Sequence, residues 1–309
     1  MPAADMTKKH SFPFFYYPIW ILLKALAALP LSVLYVLSDF LYVVTYYIIK
    51  YRKKVVLQNL HNAFPDKSEQ EIAQIAKAFY KQFADVIVEI LKLGNISASE
   101  LRKRVAFENP EVVEALIAEG KPVIMLGSHV CNWEWPLSAG AVSFDFPSDG
   151  VYKELKNPFF EEYMLHIRSR LGGRLVKTTD SSRDFIRKRH QPRMIALLSD
   201  QTPLWHEIEY WTTFLNQDTG FFVGAEKLHK SLGHAILFTD IKRTARGHYS
   251  LKFEPMTGEV KSPPESSGDF PLTEEFVQKL EAVIHRNPAN YLWTHKRWKH
   301  TREAANRGV

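Results

Sequence analysis

Apolar residues recur along residues 71–92 at intervals of three and four: Ile72, Ile75, Phe79, Phe83, Val86, Ile87, Ile90 and Leu91. That period predicts an amphipathic helix with one face toward a core. Ser68 stands three residues before Glu71, the spacing of a capping box that would start the helix, and Gly94-Asn95 would stop it. Helical and strand-like patterns then alternate. Residues 110–118, 158–171, 181–189 and 224–232 read as helices, and residues 123–126, 175–176, 194–198 and 235–239 as buried strands. Residues 249–253 read as an antiparallel edge strand, 261–269 as a Pro/Ser/Gly-rich surface loop and 276–286 as a last helix. The alternation predicts an α/β fold, a mixed, partly parallel sheet flanked by helices. Ligands gather at the carboxyl ends of the strands in such a sheet. His129 follows one such end and Asp200 another.

Residues 12–49 break the alternation. They are apolar and aromatic throughout, with Lys24 and Asp39 as the charged exceptions. Residues 31–49 approach the roughly 20 apolar residues that a helix needs to cross a bilayer. Tyr42, Tyr46, Tyr47 and Tyr51 crowd the far end, followed by Lys50, Arg52, Lys53 and Lys54. Aromatic rings suit a membrane interface, and the positive flank places the bulk of the chain on the cytoplasmic side. The length of the segment and the lack of a small-residue cleavage site argue against a cleaved signal peptide. A buried hairpin bent at Pro30 competes with a membrane anchor, spanning or interfacial, because Asp39 is expensive in lipid. Length favours the anchor. The 309 residues then divide into residues 1–54, a hydrophobic helical membrane anchor with its basic flank, and residues 55–309, one large domain.

Forty Lys and Arg against 34 Asp and Glu give a net charge of +6. Such an excess draws an anionic membrane, an acidic carrier protein or nucleic acid, or simply keeps a surface soluble. Nucleic acid fits poorly, since no recognised binding motif accompanies the charge. Basic clusters in 50–54, 183–193 and 296–302 suit phospholipid or an acidic carrier. One cysteine, Cys131, excludes an internal disulfide, and no Cys/His spacing of the zinc type is present.

The candidate chemistry lies in Gly127-Ser128-His129-Val130-Cys131-Asn132-Trp133-Glu134. A histidine oriented by a carboxylate can act as general base at neutral pH. On a regular helix His129 and Glu134 would stand about 140° apart, so they meet only if the chain turns between them. Residues 132–134 would then begin a helix ended or displaced by Pro136, whose terminal amides could steady an oxyanion. A buried structural His–carboxylate pair explains the same spacing. Cys131 reads as a small buried thiol rather than a nucleophile.

The block GSHVCNWE resembles the His-x-x-x-x-Glu block of the lipid A late acyltransferases, a branch of the lysophospholipid acyltransferase superfamily. Residues 52–89, the segment VYKELKNPFFEEYMLHIRSRLGG with its Arg-x-Arg, the strand end MIALLSDQTP and the block NPANYLWTHKRWK are similar to further blocks of that family. Lys153 stands where the family more often carries Arg. The resemblance covers about residues 18–299 and implies fatty acyl transfer from a thioester, on acyl carrier protein or coenzyme A, to a hydroxyl of a membrane lipid. It implies His129 as general base, Glu134 as its orienter, and Arg168, Arg170, Asp200 and Asn132 as substrate-binding residues, although Asp200 could equally orient a base or cap a loop. No metal or other cofactor is expected, and the implied location is the bacterial inner membrane. The acceptor stays open among a lipid A precursor, an aminolipid, a glycolipid and a lysophospholipid. A non-catalytic lipid-binding protein of this fold is the remaining alternative. The cluster Tyr291, Trp293, His295, Arg297 and Trp298 suits either headgroup contact or packing beneath a charged segment.

Overall fold

A computed structural model of the chain describes residues 12–260 and 270–302. The loop expected at 261–269 lies outside the described residues. Along the chain run α1 (Tyr17–Ala28), α2 (Leu31–Val43) with a π-helical turn Val44–Ile48, α3 (Lys53–Ala63), α4 (Glu69–Lys92), α5 (Ala98–Arg104), β1 (Val105–Phe107) and α6 (Glu111–Ala118). There follow β2 (Val123–Gly127), α7 (Trp135–Ser143), β3 (Ser148–Tyr152), α8 (Pro158–Ser169), β4 (Arg174–Lys177), α9 (Thr178–Arg187) and β5 (Met194–Leu198). The chain continues through β6 (Tyr210–Phe214), β7 (Gln217–Phe221), α10 (Gly224–Leu232), β8 (Ala235–Ala245), β9 (His248–Pro255) and α11 (Pro271–Arg286).

Seven strands form one sheet in the order β1-β9-β8-β2-β5-β3-β4, parallel at every step except β8–β9. The partly parallel α/β sheet is therefore present, but β9 is not its edge, because β1 pairs outside it. β2 is buried at all five positions, as expected of a central strand covered on both faces. A separate hairpin, β6–β7, turns through Leu215 and Asn216, both at positive φ.

α4 starts one turn before its first apolar residue. Ser68 Oγ accepts from the Glu71 amide, and Glu71 returns a bond to the Ser68 amide. This reciprocal cap contributes about 1 kcal/mol. The buried stripe of α4 includes Ile72, Ala76, Phe79, Tyr80 and Val88. On its other side α4 carries the N-terminal helices. Leu29, preceding Pro30, is extended, as steric crowding before a proline dictates, and this breaks α1 from α2. Trp20, Leu34 and Tyr46 belong to the same continuous core as Trp135 and Phe276.

Candidate active site

β2 and β5 are parallel neighbours in register, with Gly127 opposite Leu198, and the Ser199 amide donates to the Gly127 carbonyl. Two residues past each strand end stand His129 and Asp200, so the register brings them together. Asp200 Oδ1 accepts from His129 Nδ1 at 2.8 Å. Asp200 is almost wholly buried, whereas the His129 side chain keeps 14% of its surface.

The proton on Nδ1 leaves the lone pair of a neutral imidazole on Nε2. The Gln201 side-chain amide approaches that atom at 3.1 Å. Burial works against charging His129, but the Asp200 carboxylate outweighs it, with help from Glu134, and raises its pKa above the ordinary histidine range. Burial likewise pushes Asp200 toward protonation, and the His129 charge and hydrogen bond override it, so its pKa is lowered. The pair is built to stay ionisable rather than to be neutralised.

This geometry corrects the role expected for Glu134. Its carboxylate is taken by Arg168 in a two-pronged fork, Nε to Oε2 at 2.7 Å and Nη2 to Oε1 at 2.6 Å. Glu134 ends the turn that leads into α7, and Pro136 sits in the first helical turn, where its missing N–H costs nothing. Pro136 thus opens α7 instead of ending it. Glu134 and Arg168 still act on His129 through charge, one raising and the other lowering its pKa.

Asn132 is fully buried and fixes the turn instead of facing a substrate. Its Oδ1 accepts from the amides of Glu134 and Trp135, and its Nδ2 donates to Glu89. Arg170 is also committed to the scaffold, since it donates to the carbonyls of Leu93 and Ile96 beyond the end of α4. Arg168 lies close enough to His129 to act on it through charge, its side chain one-fifth exposed. Burial alone would lower its pKa, but Glu134 raises it.

The C-terminal block holds the histidine from behind. The Leu292 amide donates to the His129 carbonyl, and the Cys131 amide to the Asn290 carbonyl. Tyr291, Trp293 and Arg297 are buried, which decides for packing over headgroup contact. Burial lowers the pKa of Arg297 to about 10 and of His295 to about 4. His295 then accepts, as a neutral ring, from the Thr202 amide just after the Asp-Gln pair. Arg193, counted in a basic cluster, is also fully buried and bonded to Asp184.

Cys131 has a left-handed backbone, φ 55°. Burial raises its thiol pKa to about 12, so it is no nucleophile at neutral pH. Trp133 packs its ring 5.2 Å from that of His129 and also lines a narrow cleft. Phe79, Phe83, Val86 and Tyr249 supply apolar walls to that cleft. Gln201 is the site residue that sequence reasoning missed; the signal was its place directly after Asp200 at a strand exit.

A carboxylate-backed histidine thus stands at the carboxyl ends of two parallel strands, the place where such sheets bind ligands. Residues 5–300 match the bacterial lipid A biosynthesis acyltransferase family. The chain belongs to that family and is an acyltransferase. It is 22% identical over 240 residues to a lipid A biosynthesis acyltransferase of Haemophilus influenzae, covering 76% of this chain and 72% of the relative. It is 21% identical over 255 residues to a lipid A biosynthesis myristoyltransferase of Escherichia coli K12, covering 79% and 74%. Lipid A biosynthesis acyltransferase 2 of Shigella flexneri is 22% identical over 252 residues, covering 80% and 77%.

Proposed function

We propose that this acyltransferase moves a fatty acyl chain from acyl carrier protein to a hydroxyl of a lipid A precursor at the cytoplasmic face of the bacterial inner membrane. The bond from His129 Nδ1 to the buried Asp200 carboxylate carries the reading, since it fixes the tautomer with a basic Nε2. The acceptor hydroxyl replaces the Gln201 amide at Nε2 and gives its proton to the ring as its oxygen bonds to the thioester carbonyl carbon. The tetrahedral intermediate then expels the thiolate, which recovers the proton from the imidazolium. Asp200 stabilises that imidazolium.

Arg168, held by Glu134, supplies a fixed positive charge beside the base for a phosphate of the acceptor or for the oxyanion. Lipid mass spectrometry of cells with and without the gene tests the acceptor. Loss of one acyl chain from lipid A supports the reading, and an unchanged lipid A with an altered phospholipid or aminolipid overturns it.

A further inference from the structure

Residues Leu31–Ile48 form a helical stretch long and apolar enough to cross a bilayer. Its packing argues for another use. α2 and its π-helical turn lie antiparallel to α4 along their whole length. Lys92 Nζ donates to the carbonyls of Ala27 and Leu29 at one end. Tyr35 then bonds Glu89, Ser38 bonds Asp85, and Tyr46 packs edge-on against Tyr80, ring centres 5.3 Å apart. Leu31, Leu34, Ser38 and Tyr46 are buried by this docking.

Halfway along α2, Arg246 bridges Asp39 at 2.7 Å and Asp85 at 2.6 Å, and Arg243 bonds the other oxygen of Asp85. If α2 crossed the membrane, α4 and this charged cluster would share the same depth. Ionised groups at mid-bilayer are costly, and Asp39 is about half exposed.

The face of α2 opposite α4 is apolar and open. Val33, Val36, Phe40, Val43 and Tyr47 recur at intervals of three and four, with Val36 71% and Phe40 62% exposed. Ile21 and Leu22 of α1, and Phe14 and Phe15 in the turn before it, are also exposed, while Trp20 packs inward on Tyr163. Lys24 in α1, and Lys50 and Lys54 just past the π-helical turn, are exposed.

We propose that α1 and α2 seat the enzyme in the plane of a single leaflet rich in anionic lipid and do not cross the bilayer. The apolar stripe enters the acyl chains, the lysines meet headgroup phosphates, and α4 with its charged cluster stays on the water side. This rests on the membrane reading above and replaces a spanning anchor with an interfacial one.

The test uses full-length protein carrying Cys131→Ala and, singly, Val33→Cys, Val36→Cys, Phe40→Cys or Val43→Cys. Each is spin-labelled in vesicles of phosphatidylethanolamine and phosphatidylglycerol, and depth is read from oxygen against nickel-chelate accessibility. In-plane seating gives four nearly equal depths, about 5–10 Å below the headgroups. A spanning helix gives a gradient, since Val33 and Val43 lie about 15 Å apart along the axis. Such a gradient overturns the proposal. So does water-like accessibility at all four positions, or spin–spin broadening that reports a second copy on this face. Acyl transfer by the same labelled samples confirms the fold and reports separately on the proposed activity.

Discussion

Replacing Asp200 with Asn perturbs the proposed base at the atom its carboxylate contacts. In the wild-type protein the buried Asp200 carboxylate accepts from His129 Nδ1 at 2.8 Å. A hydrogen bond to a charged group contributes about 1.5–3 kcal/mol, and losing it corresponds to roughly 10- to 150-fold in rate. The amide can also donate to Nδ1, which moves the ring proton to Nε2, where the acceptor hydroxyl must bind. The two effects together predict a fall in kcat of at least about 100-fold for Asp200→Asn.

The pH profile separates this from mere damage. In the proposed mechanism neutral imidazole is the base, so activity falls as pH drops through the pKa of His129. Asp200 raises that pKa against burial, so its removal must move the acid limb to lower pH. Glu134→Gln releases Arg168 and lowers kcat, but it should move the acid limb less. The assay is transfer of labelled acyl chain to lipid acceptor between pH 5 and 9. An acid limb unmoved by Asp200→Asn but shifted by Glu134→Gln would refute the assignment and restore Glu134 as the orienter.

Other consequences follow from the same geometry. Cys131→Ala should keep transfer within about threefold, because a thiol with a pKa near 12 does no chemistry at neutral pH; steady-state rates decide it. Arg168→Ala leaves the nearly buried Glu134 carboxylate unpaired and should cost roughly 2–3 kcal/mol, discounted for the pair's partial exposure and read as a lower urea midpoint. Ser68→Ala removes the cap of α4 and should cost about 1 kcal/mol in the same experiment, with kcat unchanged.

What the sequence made legible was local. The capping box and period of α4, the buried runs of β2 and β5, and the strand-exit position of His129 all follow from neighbours a few residues apart. The partner of His129 was not legible in this way. Asp200 is 71 residues distant, and its approach depends on β2 and β5 pairing in register, a non-local choice. Glu134 drew the orienting role because it is near in sequence, yet the Asn132 cap turns it toward α8 and Arg168. The β6–β7 hairpin escaped notice because its turn places Leu215 and Asn216 at positive φ without a glycine to mark it. The stripe on α2 was visible as hydrophobicity, but its opposite face could be understood only beside α4.

The most direct measurement of the central claim is single-turnover transfer by full-length protein in vesicles, comparing wild type with His129→Ala. Thiol release from acyl carrier protein and acylation of the lipid acceptor are followed in the same sample. Both are expected to fall together by at least about 100-fold in a variant that retains the wild-type urea midpoint. Lipid acylation by His129→Ala at a near wild-type rate would contradict it.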